Sequence, residues 1–238
     1  MAQKTFKNFK VQNKKKLIIF GDGPSAEVVS EIVKEFHLFD ILCFTVDRKY
    51  KKKNKLNSYK IIEYEKIKKI KNKKDYFCFV SVGYSNMNKN RQNICKKVKD
   101  DGFELTNIIH PNSNISRNIK IGENCFIMQD IHIHPFVKIG NNNFIWSGSI
   151  ICHHVRIGNN CWFTSGSSVA GNTSIGNNCF FGINSTITNN IKIGNRAFVG
   201  AGSLVVKSLK NGSTVVRKPD SLHALASDDF LDLIKNKF

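Results

Sequence analysis

The sequence lacks several features that would assign it to a common class of protein. It has no apolar run long enough to cross a membrane, and its Lys-rich start is not followed by the apolar stretch of a signal peptide. We therefore expect a cytoplasmic protein without a membrane span. With 238 residues, of which 41% are hydrophobic, the chain is long enough for one large or two modest domains with real cores.

Acidic residues are scarce, since 18 Asp and Glu stand against 37 Lys and Arg and the formal net charge is +19. A charge of this size invites a nucleic-acid interpretation. The excess is mostly Lys, however, and it is concentrated in residues 1–16, 49–55 and 66–74, which we interpret as a leader, a loop and a helix face. We therefore expect no nucleic-acid partner, although a basic surface would help to attract phosphorylated ligands.

Three of the seven cysteines, Cys125, Cys161 and Cys179, occupy the same place, four residues after an aliphatic residue of a repeat. Small residues fill that place elsewhere, namely Ser113, Ser149, Ser167, Ser185, Ala197 and Ser203. A buried free thiol behaves as a small hydrophobe. We therefore predict that these cysteines fill corners of the fold and form neither a disulfide nor a metal site.

The repeat itself is a period of six that neither a helix nor a strand alternation produces. Every sixth residue from Ile109 to Val205 is Ile, Val or Phe, and an Ile-Gly pair recurs every eighteen residues from Ile121 to Ile193. A triangular parallel β-helix has this pattern, with one six-residue unit per side and three units per coil. No unit is lengthened between Ile109 and Val205, so we expect no long loop to project from the solenoid.

The chain before the repeat alternates short apolar strands with helical patterns, which predicts a small parallel α/β sheet. The predicted organisation is a basic leader at 1–15, a Rossmann-like α/β domain at 16–105, a β-helix at 106–219 and a C-terminal helix or tail at 220–238, the helix at 221–235.

The segment Gly21–Ala26 follows the first predicted strand and precedes the first predicted helix. Glycine allows a tight turn and a close backbone approach, and a helix N-terminus favours a phosphate. Asp47, after the second strand, can accept hydrogen bonds from a ribose or a base. The motif is also compatible with a purely structural turn. Since the domain is short for a dinucleotide fold, a mononucleotide or nucleotide-sugar is the favoured ligand.

Four of the histidines within the repeat lie in two consecutive coils, at His132, His134, His153 and His154. A neutral imidazole can take up a proton near pH 7, so the His153-His154 pair is a candidate general base as well as an ordinary surface pair. Zinc sites on the same kind of solenoid use one histidine well upstream of a close pair about five residues apart. The spacing here differs, so we expect no metal.

Several segments together resemble the hexapeptide acyltransferases, the left-handed β-helix family. The resemblance extends over 16–219 to the subfamily of nucleotide-linked amino-sugar N-acetyltransferases and sialic acid O-acetyltransferases. The matching segments are Leu17–Ala26, Ser81–Gly83 with Arg91, Ile108–Pro111, Ile151–Gly158, Ala170–Asn172, Cys179–Ser185 and Val199–Gly202.

The resemblance implies a homotrimer with acetyl-CoA as co-substrate and active sites between subunits. His153 falls on the general base, with His154 beside it, and Gly171 falls where a backbone N–H supports the oxyanion. The positions implied for coenzyme binding are Trp162, Gly171, Ile183 and Ala201. Those implied for the nucleotide-sugar are Gly21, Gly23, Pro24, Ser25, Asp47, Arg48, Gly83 and Trp146.

Three positions depart from the family pattern. His154 stands where relatives often carry an acidic residue that orients the base, and Trp162 stands where they often have a histidine near the thioester. Trp146 replaces a smaller polar residue facing the sugar. It is either a surface aromatic or a wall that shapes sugar specificity.

The function expected from the resemblance is transfer of an acetyl group to the amine of a UDP-, TDP- or GDP-linked 4-amino-deoxy sugar, in bacterial surface glycan synthesis. Alternatives are an O-acetyltransferase of the sialic acid type and a transferase of a longer acyl group. A non-catalytic nucleotide-sugar-binding trimer is a further alternative, which His154 and Trp162 would favour. The last alternative is a metal-dependent hydratase.

Overall fold

The computed structural model describes residues 15–221 and 224–228. The predicted leader at 1–15 lies outside the described residues except for Lys15, and so does the predicted terminal helix at 221–235 except for 221 and 224–228.

The first half of the described chain is a six-stranded sheet with helices on both faces. Its strand order is β3-β4-β2-β1-β5-β6, and all neighbours are parallel except β3 and β4. The elements are β1 Lys16–Phe20, α1 Pro24–Glu35, β2 Asp40–Val46, β3 Lys55–Leu56, β4 Tyr59–Glu63, α2 Tyr64–Ile67, β5 Tyr76–Val80, α3 Lys89–Asp100 and β6 Glu104–Leu105.

The alternation of side chains along β1 explains this layered arrangement. Leu17 and Ile19 are buried on the side of α1, while Ile18 and Phe20 are buried on the side of α2 and α3. Because β1, β2 and β5 run parallel, their carboxyl ends meet at one edge of the sheet. The predicted parallel α/β sheet is thereby confirmed.

The sequence also predicts a basic helix at 63–72, which contains most of the helix face at 66–74, whereas α2 in the structure spans only Tyr64–Ile67. The four lysines of this segment, Lys66, Lys68, Lys69 and Lys71, would be close neighbours on a helix surface, and like charges three or four residues apart oppose each other. Asn72 then adopts a left-handed conformation with φ 54°, which ends any helical continuation.

The second half of the chain is a stack of two-residue parallel strands in three sheets. The first face contains β7 Ile108–Ile109, β10 Phe126–Ile127, β13 Phe144–Ile145, β16 Trp162–Phe163, β19 Phe180–Phe181, β22 Phe198–Val199 and β24 Thr214–Val215. The second contains β8 Asn114–Ile115, β11 His132–Ile133, β14 Ile150–Ile151, β17 Ser168–Val169, β20 Thr186–Ile187 and β23 Leu204–Val205. The third contains β9 Lys120–Ile121, β12 Lys138–Ile139, β15 Arg156–Ile157, β18 Ser174–Ile175 and β21 Lys192–Ile193.

The register of these strands follows the sequence period directly. Each strand from β7 to β23 pairs with the one eighteen residues away, as Ile127 does with Ile145 and Ile151 with Val169. The second residue of nearly every strand is buried inside the prism, and only Ile109 and Ile121 in the first coil and Val215 in the last are half-buried. The β-helix predicted from the six-residue period is therefore confirmed.

The recurring glycine lies at the corner between the third and first faces, where consecutive coils come close. A Cβ atom on Gly158 would lie 2.6 Å from Asn177 Oδ1 and 2.8 Å from the backbone of Gly176. The amide oxygen of Asn177 accepts a 2.7 Å hydrogen bond from the Asn159 N–H, and the same contact repeats along this corner. Glycine therefore recurs after the isoleucine of each coil because consecutive coils approach too closely at this corner for a Cβ atom.

We expect Gly158→Ala to destabilise the solenoid by about 1–3 kcal/mol, because the added methyl group overlaps the next coil. Chemical denaturation measures this loss. The matched control is Gly83→Ala, since a Cβ there would meet no atom within 4 Å. Equal stability losses in the two variants would contradict the assigned role of the corner glycine.

The outward residues of the first face form an aromatic ladder that the α/β unit covers. Phe126, Phe144, Trp162 and Phe180 are buried in this way, with Phe144 and Trp162 stacked at 4.9 Å between ring centroids. The ring of Phe79, on β5, lies 5.7 Å from that of Phe144. This contact fixes the carboxyl edge of the α/β sheet directly beside the solenoid.

Candidate functional site

The carboxyl edge of the sheet contains three glycines, only one of which the fold itself requires. Gly21 has φ +128°, and a Cβ there would lie 2.3 Å from the Ser81 carbonyl oxygen. Gly23 and Gly83 have no such conformation, and a Cβ on either would meet nothing within 4 Å. Since neither backbone strain nor internal packing requires glycine at these two positions, both fit a surface that a ligand approaches closely.

The two turns of this edge are joined to each other at the start of α1. Gly23 caps the helix without a side-chain hydrogen bond, and Pro24 occupies its first turn. The Ser25 hydroxyl donates a 3.4 Å hydrogen bond to the Ser81 carbonyl, while the Ser81 hydroxyl is buried without a partner in the described part of the chain. The start of a helix with this composition suits an anion.

An open cleft of about 590 Å³ lies beyond β2 and is lined by Asp47, Arg48, Lys49, Glu65 and Lys97. Asp47, expected to meet a ribose or base, is ion-paired with Lys97 from α3, so a ligand would share that carboxylate. Backbone N–H donors, first that of Glu65 itself and also that of Arg48 at 3.1 Å, lower the pKa of the Glu65 carboxyl.

The histidine corner consists of His153, His154 and Gly171 and lies between the second and third faces. A Cβ on Gly171 would lie 2.6 Å from His153 Cε1 and 2.9 Å from its Nε2. The imidazole of His153 therefore lies directly over Gly171. The Gly171 N–H has no acceptor in the described residues, and Gly171 itself is buried.

His154 is held so that it can orient its neighbour. It adopts φ +60°, and its ring contacts that of Phe136 at 4.8 Å between centroids. The Nδ1 atoms of His153 and His154 lie 3.2 Å apart. If Nδ1–H of His153 donates to Nδ1 of His154, the Nε2 lone pair of His153 is free to accept a proton. The tautomer in which His153 acts as a base is thus compatible with this contact.

The structure does not bring all the predicted coenzyme residues together in one chain. Ile183, which is 52% exposed, and Ala201 lie at the corner between the first and second faces. Trp162 was expected beside the thioester, but it is only 4% exposed, because outward residues of the first face lie under the α/β unit. Its indole packs against Phe144 and Tyr84. Within one chain, the histidine corner and the corner of Ile183 and Ala201 are therefore separated by the second face.

Trp146 is half-buried beside this covered ladder, with ring centroids 5.5 Å from Phe126 and 5.7 Å from Trp162. Its indole N–H is buried, with no acceptor in the described part of the protein. Tyr84, which the sequence interpretation missed, is 52% exposed and packs on Trp162 and Phe180. The sequence signal that could have identified Tyr84 is its position directly after Gly83. No such signal pointed to Lys97, the ion-pair partner of Asp47, because Lys97 lies in the middle of α3.

Within residues 15–221 and 224–228, no group of three or more His, Cys, Asp or Glu side chains is placed to hold a metal ion. No helix in the same residues has both the length and the apolar character that a membrane crossing requires.

Comparison with known families matches both halves of the chain. The family described as bacterial transferase hexapeptide (six repeats) matches residues 118–153, 136–171 and 172–207. The PglD N-terminal domain matches residues 16–98. No curated protein sequence matches the chain.

Solved structures share this architecture over most of their length. The acetyltransferase domain of PglB from Neisseria gonorrhoeae is 21% identical with a TM-score of 0.77, covering 84% of this chain and 95% of that one. PerB from Caulobacter crescentus, in complex with CoA and GDP-perosamine, is 26% identical with a TM-score of 0.75, covering 84% and 92%. WeeI from Acinetobacter baumannii is 18% identical with a TM-score of 0.57, covering 86% and 98%. The predicted fold, an α/β domain followed by a left-handed β-helix, is confirmed.

Proposed function

Because the chain belongs to the hexapeptide-repeat acyltransferases with a PglD-type N-terminal domain, we propose that it acetylates the amine of a nucleotide-linked 4-amino-deoxy sugar. Acetyl-CoA is the donor, and the setting is bacterial surface glycan synthesis. The observation that carries the proposal is the His153 ring lying over the unpaired Gly171 N–H at a corner of the solenoid.

The similarity to PerB supports an amino-sugar acceptor. That protein is 26% identical over 84% of this chain, was solved with CoA and GDP-perosamine, and is described as a GDP-perosamine N-acetyltransferase. The carboxyl edge supplies two glycines with open space in front of them, a helix start and the cleft beside Asp47 and Arg48. These features suit a nucleoside diphosphate, and Trp146 would form one wall beside the sugar.

The reaction follows from the two groups at the histidine corner. Nε2 of His153 takes a proton from the amine as its nitrogen attacks the thioester carbonyl, and the Gly171 N–H donates to the developing oxyanion. The C–N bond forms, the C–S bond breaks, and the proton passes to the departing thiolate. His154 gives no fixed negative charge to its neighbour. A free amine needs less help from a base than a hydroxyl does, so the arrangement favours nitrogen over oxygen as acceptor.

The positions of the predicted coenzyme residues support a homotrimer. Ile183 and Ala201 lie at a different corner from His153, so a complete site requires two copies to face each other. Exposed apolar side chains surround the second face, including Phe136 at 54% and Leu204 at 62% exposure. We propose that copies meet at this face and its two corners, with acetyl-CoA between them.

A cytoplasmic location remains part of the proposal. All seven cysteines are free in the structure, and Cys152 is the only one of them that is not buried. Unpaired thiols in this number suit a reducing compartment. Nucleotide-sugars and coenzyme A thioesters are charged molecules, and the enzyme must share a compartment with both.

A transfer assay tests the proposed function. Thiol release from acetyl-CoA is measured with UDP-, dTDP- and GDP-linked 4-amino-deoxy sugars in turn, and the product is examined by mass spectrometry and NMR. The expected result is thiol release with the amino sugars linked to one of the three nucleotides, and a product that carries the acetyl group on nitrogen. The matching hydroxy sugars and the amino sugars without nucleotide are the controls. Acetylation on oxygen, or no release with any acceptor, would overturn the proposal.

We expect Gly23→Ala and Gly83→Ala to raise the KM for the nucleotide-sugar by roughly tenfold, because a methyl group would occupy space that the ligand enters. The KM for acetyl-CoA and the melting temperature should change little, since a Cβ at either position meets no protein atom. Steady-state kinetics with each substrate varied separately measures the effect. An unchanged nucleotide-sugar KM in both variants would remove this edge from the binding site.

A further inference from the structure

Arg91, near the start of α3, is a fully buried cation at the junction of the two halves of the chain. Its guanidinium lies over the rings of Phe144 and Trp162, at 4.5 Å and 5.2 Å from their centroids. Burial lowers the pKa of Arg91 to about 10, so the group stays charged at neutral pH.

Every hydrogen-bond acceptor around this cation is neutral. On the solenoid side, Nε donates to Asn142 Oδ1 at 3.0 Å, and Nη2 donates to the carbonyls of Asn142 at 3.2 Å and Cys161 at 3.4 Å. On the other side, Nη1 donates to the carbonyls of Val82 at 3.3 Å and Gly83 at 3.5 Å. Among the described residues, Arg91 forms no ion pair. A buried charge without a counter-ion is costly, so its presence at this place calls for an explanation.

The contacts with Val82 and Gly83 fix the direction of two peptide units. A trans peptide directs its carbonyl and its N–H to opposite sides, and the described residues contain no cis bond. The carbonyl of Val82 shares a peptide unit with the N–H of Gly83, and the carbonyl of Gly83 shares one with the N–H of Tyr84. Both N–H groups therefore face away from Arg91. Neither has an acceptor in the described chain.

Gly83 and Tyr84 belong to the candidate ligand edge, and both have open space beside them. A Cβ on Gly83 would meet nothing within 4 Å, and the Tyr84 side chain is 52% exposed. Adjacent peptide N–H groups of this kind form a concavity for an anion, and a fixed positive charge behind them adds to the attraction because protein interiors screen charges weakly.

We propose that Arg91 is a positioning residue for substrate binding, which presents the N–H groups of Gly83 and Tyr84 to the pyrophosphate of the nucleotide-sugar without touching it. This proposal rests on the proposed function for the identity of the ligand. Arg91 acts in two ways. The hydrogen bonds of its planar guanidinium group orient the two peptide units, and its positive charge behind them adds to the attraction of an anion. Lysine has the charge but not the planar fork that reaches both peptide units and Asn142 together.

The first test compares Arg91→Lys with the wild-type protein by calorimetry, using UDP, dTDP, GDP and inorganic pyrophosphate, each with saturating coenzyme A present. We expect the affinity for these anions to fall by roughly tenfold or more, with the affinity for coenzyme A alone unchanged. A folded Arg91→Lys protein with wild-type anion affinity would overturn the proposal. So would an equal loss for coenzyme A, because that would indicate a structural role only.

A second pair of variants does not depend on whether Arg91 can be replaced. Tyr84→Pro removes one unpaired N–H and the side chain, whereas Tyr84→Ala removes the side chain alone. Weaker binding of inorganic pyrophosphate to Tyr84→Pro than to Tyr84→Ala, by roughly tenfold, supports the proposal, and equal binding contradicts it. If the wild-type protein binds pyrophosphate in this way but none of the three nucleotides, the proposed function fails and the anion site stands. If it binds no anion at all, both fail.

Discussion

Replacing His153 by Asn is expected to lower the turnover number by a factor of about 10²–10⁴, the usual contribution of a positioned general base. Asparagine is smaller than histidine but also forms hydrogen bonds, and it cannot take up the proton that the amine loses. The ring of His153 is exposed at a corner of the solenoid, beside His154 and over Gly171, so the fold should be unaffected. Steady-state kinetics measures the loss, and circular dichroism with sedimentation checks the fold and assembly.

His154→Asn is the matched control for this experiment. Residue 154 has φ +60°, a conformation that asparagine adopts readily, so the turn should persist. The variant loses the ring contact with Phe136 and the Nδ1 partner of His153, and we expect a smaller loss of turnover than in His153→Asn. If His153→Asn retained full turnover while His154→Asn lost it, the base would be His154.

The prism was predictable because its register is a local property of the sequence. One inward side chain per six residues suffices to define each side, and the pairing of Ile127 with Ile145 follows from the eighteen-residue coil. The positions of the turn residues also follow from the sequence period. His153 and Gly171 are eighteen residues apart and could therefore be placed at the same corner in consecutive coils. The structure adds their contact, which depends on the absence of a Cβ at Gly171.

The features that could not be predicted depend on how the two halves of the chain meet. An aromatic residue at an outward strand position reads as exposed, yet Trp162 is buried because the α/β unit covers that particular face. Asp47 reads as a free acceptor at the end of a strand, yet Lys97 reaches it from α3. The contacts of Arg91 with the carbonyls of Asn142 and Cys161 belong to the same class, since they join segments more than fifty residues apart.

Gly171→Ala is expected to reduce turnover on the order of 10²-fold, the scale associated with a displacement of a catalytic group by about 1 Å. The new methyl group would lie 2.6 Å from His153 Cε1, far inside van der Waals contact, so the imidazole must move. The exposed ring has room to rotate, and the backbone of residue 171 has no positive φ, so stability should change little. Kinetic measurement together with thermal unfolding separates these two effects.

The double variant His153→Asn/Gly171→Ala distinguishes displacement of the base from loss of the oxyanion donor. If the methyl group acts by moving His153, it should have little further effect once the imidazole is gone, and the two losses will be far from additive. If it acts instead on the Gly171 N–H, the losses will multiply, because that donor serves the oxyanion whether or not a base is present. Strict multiplication would therefore contradict the contact between His153 and Gly171 as the cause, and the two groups would then act independently, His153 on the amine and the Gly171 N–H on the carbonyl oxygen.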